Sequence, residues 1–251
     1  MSKNKVIFTR ALICDANHLI LPMNAQCLLS GPEQARLSNM QHAQQAKLFL
    51  LGRYLSRQLL ALALQQAPEL VHIHVDSKGK PQLLEPDWHF NISHSGSLLA
   101  LAFGNQGPLG IDVESRRLSS AQIQRLARRY FATDEQIRLS QTDNSDRFLQ
   151  LWTIKEAVLK AHGGGIANNL NAVHWQPFED IAHFNDTEYQ LHQYCYQQSR
   201  VTLALNHTKS DAKNATTKST CIELLNVSDL PFELEIIGPQ PNLGIQSFKY
   251  V

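Results

Sequence analysis

The chain has 251 residues, a formal net charge of +1, and is 43% hydrophobic and 18% charged. That apolar content excludes wholesale disorder, and the near-zero charge excludes bulk electrostatic binding of nucleic acid. The length admits one large core or two smaller ones.

Cys14, Cys27, Cys195 and Cys221 are too scattered for a CxxC metal pattern and too few to staple a chain of this size. The first residues carry Lys3 and Lys5 but no uninterrupted apolar core before Arg10, and Asp15, Asn17 and His18 interrupt the next apolar stretch. Neither a signal peptide nor a membrane span is expected, and a cytoplasmic, monomeric protein is the expectation.

Val6 to Ile13 alternates and reads as a strand, with another near Leu19 to Leu21. Helix formers dominate from Glu33 to Gln66, with a break near Ser38-Asn39 and a stop at Pro68. Leu48, Leu51, Leu55, Leu59 and Leu62 or Ala63 recur there at helical spacing and face the core, while Arg53 and Arg57 share another face. Val71 to Val75 is a β-branched strand closed by the turn residues Asp76 to Pro81. A strand at His89 to Ser93 leads through Ser95-Gly96 into Leu98 to Phe103. Gly107-Pro108 marks a break near the midpoint, dividing subdomains 1–107 and 108–251.

The second half opens with a strand at Leu109 to Val113, then helices at Ala121 to Tyr130 and Asp134 to Ser140. Asp143, Asn144 and Ser145 offer N-caps to a helix reaching Ala161, which Gly163-Gly164-Gly165 stops. Val201 to Leu205 and Cys221 to Leu225 read as strands of an antiparallel sheet, with a polar loop over 207–220.

Asp112 and Glu114 are two apart on a strand, so both point to one face. Such a pair is either a solvated strand end or the oxygen ligands of a hard cation such as Mg²⁺. Glu156 and Lys160 have the spacing of a helical ion pair, which suits a plain surface contact or a site equally. Asn91-Ile-Ser93-His94-Ser95-Gly96 is a dense polar cluster able to approach a phosphate, or simply a turn with satisfied side chains. A Ser/His hydrolase built on Ser93, His94 and Asp112 is disfavoured: no G-x-S-x-G elbow is present, and adjacent strand residues face opposite ways.

Five motifs occur in fixed order: Gly79-Lys80-Pro81, Phe90 to Ser95, Gly110-Ile-Asp112-Val-Glu114, Phe131 with Glu135, and Trp152-Thr-Ile-Lys155-Glu156-Ala with Lys160. Together, over about Glu33 to Leu170, they resemble the 4′-phosphopantetheinyl transferases of the surfactin-synthetase-activating (Sfp) type. The resemblance implies an α+β fold of two similar α/β subdomains about a pseudo-twofold axis, with coenzyme A between them. It implies transfer of the phosphopantetheine arm to a serine of an acyl or peptidyl carrier protein. By position it makes Asp112, Glu114 and Glu156 the Mg²⁺ carboxylates, and Lys80, Ser93 and His94 contacts of the coenzyme's nucleotide and 3′-phosphate.

In the same reading Glu156 accepts the serine proton, and Lys160 or Lys155 assists the departing phosphate. Two departures stand out. Where the family pattern has paired lysines, this chain offers Arg36, with Lys47 as another candidate, and Phe49 replaces a threonine before Leu50-Leu51-Gly52. Arg125, Arg128 and Arg129 ahead of Phe131 are either a dock for the carrier or a solvated helix face. Two competing readings remain, another Mg²⁺-dependent nucleotide or phosphate enzyme and a non-catalytic coenzyme- or carrier-binding module.

Overall fold

The computed structural model describes residues 8–76, 79–140, 145–165, 169–207 and 222–241. Strands β1 (Thr9–Asp15) and β2 (Leu19–Ile20) precede helices α1 (Gly31–Ser38) and α2 (Ala43–Leu64). Ser30 and Glu33 form a capping box at the start of α1, with Pro32 in its first turn. Gln65, in the left-handed conformation at φ 56°, ends α2 just ahead of Pro68.

Strands β3 (Ile73–Val75) and β4 (Pro81–Leu83) form a two-stranded sheet with each other. Next comes the hairpin β5 (His89–Ser95) and β6 (Leu98–Gly104), turned by Gly96 at φ 61°. Then come β7 (Leu109–Glu114), α3 (Ser120–Tyr130), α4 (Thr133–Ser140) and α5 (Ser145–His162). Gly163, at φ 75°, closes α5 with a bond from its N–H to the Leu159 carbonyl. The remaining strands are β8 (His174–Trp175), β9 (Ile181–Phe184), β10 (Thr187–Tyr196), β11 (Ser199–His207), β12 (Ile222–Leu225) and β13 (Glu235–Ile236).

These elements make a mixed α+β fold with two main sheets, ordered β12-β1-β6-β5 and β7-β11-β10-β9-β8. Period-2 alternation decides what each sheet face covers. Leu12, Cys14, Leu99, Leu101 and Phe103 pack with Leu48, Leu51, Leu55 and Leu59 of α2. The opposite face of the same sheet, Ala11, Ile13, Ala100 and Ala102, packs on Ile111, Val113, Val201 and Leu203 of the second sheet. The outer face of the second sheet, with Ala182, Phe184, Tyr189, Leu191 and Ala204, carries Ile154, Ala157, Val158 and Ala161 of α5. The layers therefore run α2, first sheet, second sheet, α5. Strand β6, an apolar run, is buried at every position because it is covered on both faces.

Arg53 and Arg57 turn inward rather than to solvent. Both reach the buried Glu33 carboxylate, at 2.8 and 2.6 Å, and so clamp α1 onto α2. Losing Glu33 would strand two buried guanidinium groups, a cost of about 3–5 kcal/mol.

One strand expectation is corrected. β12 does not join an antiparallel sheet with β11; it pairs parallel with β1, Thr9 opposite Ile222 and Leu12 opposite Leu225. Its partly buried Ile222 and Leu224 cover the inter-sheet core, and Leu225 packs on the α2 side. β1 begins at Thr9; the expected start at Val6, the caps Asp143 and Asn144, and nearly all of the 207–220 loop lie outside the described residues. The expected boundary at 107/108 falls in the connection between β6 and β7, and β12 crosses back over it to complete the first sheet.

His192 on β10 has its Nε2 buried with no hydrogen-bond partner among the described residues. Burial lowers its pKa against the opposing pull of Asp180, so the folded chain keeps it neutral where the unfolded chain protonates it. Stability from this group is complete above the ordinary histidine value of 6.5 and is lost as the pH falls below it. The melting temperature of His192→Gln should fall less than that of the wild type between about pH 7 and pH 5, by about 2–4 °C. Parallel acid limbs for the two proteins would show that His192 does not set this loss.

Candidate active site

The site lies where the edge strand of one sheet meets the edge strand of the other. β5 and β7 end their sheets, and each would otherwise show unpaired backbone to solvent. Polar residues at alternate positions of β5 join them. The Asn91 Oδ1 accepts from the Ile111 N–H at 2.9 Å, Ser93 donates to Asp112 Oδ1 at 2.7 Å, and Ser95 donates to Glu114 Oε1 at 2.6 Å.

The other wall is α5, brought against β7 at Gly110. A Cβ there would lie 2.2 Å from the Ala157 carbonyl oxygen and 2.4 Å from the Ala161 nitrogen. Only glycine permits this contact. Thr153 and Thr202 share a hydrogen bond at 2.9 Å and fix the same helix on β11. With the helix so close, Lys160 Nζ donates to Asp112 Oδ1 at 2.6 Å, to Ser93 Oγ at 2.9 Å and to the Ile111 carbonyl at 3.3 Å. Lys80 extends the cluster by donating from Nζ to the Lys160 carbonyl. Burial lowers the pKa of Lys80, with Asp76 opposing.

Glu156 lies one helical turn before Lys160, its carboxylate 3.7 Å from the ammonium. Burial and then the Asp112 charge push its carboxyl pKa up to about 7, against the pull of Lys160. Glu114 goes the other way. Burial alone would raise it, but hydrogen bonds from Arg116 and Ser95 outweigh burial and hold it below the usual carboxylate range. One site thus holds a carboxylate fixed in its charged form and a carboxyl poised near neutrality.

The structure thus gathers Lys80, Ser93, Asp112, Glu114, Glu156 and Lys160. His94 faces away from Ser93 on β5, as strand alternation requires; partial burial and then the Lys160 charge lower its pKa. Lys155 is not part of the site, which corrects its expected role with the departing phosphate. It points from α5 into the opposite core, fully buried, and donates to the carbonyls of Leu170 and Val173 at 2.9 and 2.6 Å. Its charge is met by Glu135 at 2.9 Å and by the face of Phe131. Consecutive helix residues diverge by about 100°, so Glu156 and Lys155 cannot serve one face.

Trp152 is likewise core, packed among Tyr130, Phe131 and Phe148. Arg36 on α1 stacks over Phe49, and Lys47 sits half-buried on α2; among the described residues neither bonds to the carboxylates. Asn91 and Ser95, named in the sequence only as members of the polar cluster around Ser93, join the site at alternate positions of β5. Arg116 escaped notice, having no signal beyond its nearness to Glu114.

Residues 108–225 match the model of the 4′-phosphopantetheinyl transferase superfamily, and residues 22–106 match that of the 4′-phosphopantetheinyl transferase N-terminal region. A Synechocystis protein, named provisionally for the same activity, is 35% identical over 179 residues, 68% of this chain and 71% of that protein. The chain belongs to the 4′-phosphopantetheinyl transferase superfamily. The Sfp transferase of Bacillus subtilis is 32% identical over 148 residues, covering 57% of this chain and 64% of that one. The Xenopus laevis L-aminoadipate-semialdehyde dehydrogenase-phosphopantetheinyl transferase is 29% identical over 174 residues, 62% of this chain and 58% of its own. The chain therefore spans less than two thirds of the latter two relatives. Members of this superfamily move the phosphopantetheine arm of coenzyme A to carrier proteins. Among the described residues no helix is long and apolar enough to cross a membrane.

For a 4′-phosphopantetheinyl transferase the donor chemistry is apt. Asp112 and Glu156 offer oxygen donors of the kind a hard divalent cation takes, and their mutual repulsion, after burial, contributes to the raised Glu156 pKa. The arrangement depends on the absence of a side chain at position 110. Gly110→Ala should destabilise the fold by about 3 kcal/mol and cost more transfer activity than the lost folded fraction accounts for. Chemical denaturation alongside a transfer assay checks both, and a variant of wild-type stability and rate would show that the contact is not needed.

Proposed function

We propose that this transferase moves the 4′-phosphopantetheine arm of coenzyme A onto a serine hydroxyl of an apo acyl or peptidyl carrier protein, with Mg²⁺, releasing 3′,5′-ADP. The observation that carries this reading is the meeting of Ser93, Asp112, Glu156 and Lys160 from a strand of each sheet and one helix. Asp112 and Glu156, beside Glu114, would hold a magnesium ion, which would neutralise charge on the diphosphate.

The chain's own residues account for the rest. The serine oxygen bonds to the phosphorus bearing the pantetheine arm as the bond from that phosphorus to the leaving ADP oxygen breaks. Glu156, whose carboxylate lies beside Lys160 at the meeting of helix and strand, takes the serine proton. Lys160, already donating at the site, turns its ammonium protons toward the departing phosphate. No covalent bond to the protein forms.

Lys80 and His94 flank this position and suit the nucleotide, while Arg36 and Lys47 are the cations left for the 3′-phosphate. The cleft on this reading separates residues 1–107 from 108–251, the second half lending β12 to the first. The protein would act as a cytoplasmic monomer.

Incubation with coenzyme A, Mg²⁺ and an apo-carrier should add the mass of one phosphopantetheine arm to the carrier; a carrier of unchanged mass would overturn the proposal. Asp112→Ala should abolish Mg²⁺-dependent transfer while circular dichroism stays native, and retained activity would remove Asp112 from the cation site. Glu156→Gln should lower kcat by about 100-fold or more, with coenzyme affinity within about threefold of wild type. An unchanged kcat would rule out Glu156 as the base.

A further inference from the structure

Glu114 differs from the other two carboxylates in how fully it is bonded. Its Oε1 accepts from Ser95 Oγ at 2.6 Å and from the backbone N–H groups of Ser115 and Arg116, each at 2.9 Å. Its Oε2 accepts from Arg116 Nε at 2.8 Å and from Arg116 Nη2. A carboxylate offers about four lone-pair positions, and the donors named here already exceed that. Asp112 accepts from Ser93 and Lys160 through Oδ1 and is hydrogen-bonded to Glu156, whose carboxylate lies 3.7 Å from Lys160. Among the described residues no group of three His, Cys, Asp or Glu is arranged to hold one metal ion.

Arg116 dominates this difference. It supplies both donors to Oε2 and one to Oε1, and its side chain is 55% exposed at the rim of the site. Its charge also reaches Glu156 and Asp112. A cation approaching Glu114 must displace a guanidinium that donates twice to Oε2, and charge-assisted bonds of this kind are among the stronger ones available to a carboxylate. A cation approaching Asp112 and Glu156 displaces less, but works against the same positive charge.

We propose that Arg116 keeps Glu114 out of the cation's coordination sphere, leaving Asp112 and Glu156 as its direct protein ligands, and that its charge weakens their hold on the free ion. Arg116 is then a positioning residue. This inference rests on the magnesium reading above. It makes the coenzyme's diphosphate oxygens a large part of the ligand set, so cation and coenzyme each tighten the binding of the other.

The test titrates the full chain with Mn²⁺, following the free ion by electron paramagnetic resonance, with and without coenzyme A. Arg116→Gln should bind Mn²⁺ about tenfold more tightly than wild type without coenzyme, as removal of a nearby positive charge requires. The double variant Glu114→Gln/Arg116→Gln removes the pair together and should stay within about threefold of wild type, whereas Asp112→Asn should weaken binding by about 30-fold or more. A double variant as weak as Asp112→Asn would make Glu114 a direct ligand and overturn the proposal. So would an Arg116→Gln protein that binds no more tightly than wild type, and this single exposed change decides the matter if the double variant fails to fold. Wild-type protein that takes up no Mn²⁺ even with coenzyme would instead sink the magnesium reading itself.

Discussion

Helix backbone and strand backbone seldom touch, because side chains from both keep them apart. At Gly110 they do, and the Ala157 carbonyl occupies the space that a Cβ would need. Everything chemical in the site is scaled to that contact. Lys160 reaches Asp112, Ser93 and the Ile111 carbonyl at once because α5 starts its approach from so short a distance. The perturbed pKa of Glu156 has the same origin: burial against β7 and nearness to Asp112 both result from the packing of the helix.

A second constraint works across the sheets rather than within one. Two edge strands could have bonded directly through backbone; instead three side chains of β5 do the joining. Side chains hold the edges while leaving the Asp112 and Glu114 carboxyl groups at the seam. Each serine hydroxyl both fastens the halves and orients a carboxylate. The site exists only when both sheets are formed and docked, which places the chemistry under the control of tertiary structure.

Much of this was legible in the sequence because local rules governed it. The hairpin of β5 and β6, the helix ended by Gly163, and the shared face of Asp112 and Glu114 all come from period, glycine position and strand alternation. The apolar period of α2 likewise named its buried leucines. Lys155 departs from its expected role at the phosphate because two backbone carbonyls, Glu135 and an aromatic ring from distant segments meet its charge in the core. The partner of β12 could not be read either, because parallel pairing with β1 is decided by a surface assembled from the rest of the chain. Arg116 illustrates a third kind of loss. A rim arginine looks like any solvated cation until the neighbouring carboxylate is seen to turn back toward it.

The return of β12 also bears on how the molecule comes into being. Arg10 and Glu223, which face each other across that pairing at 2.6 Å, are separated by 213 residues of chain. Closing so wide a loop is slow and costs entropy before it yields contacts. During synthesis β1 therefore emerges long before its outer neighbour, and its exposed rim must wait, unpartnered, until the 213 residues that separate Arg10 from Glu223 have left the ribosome.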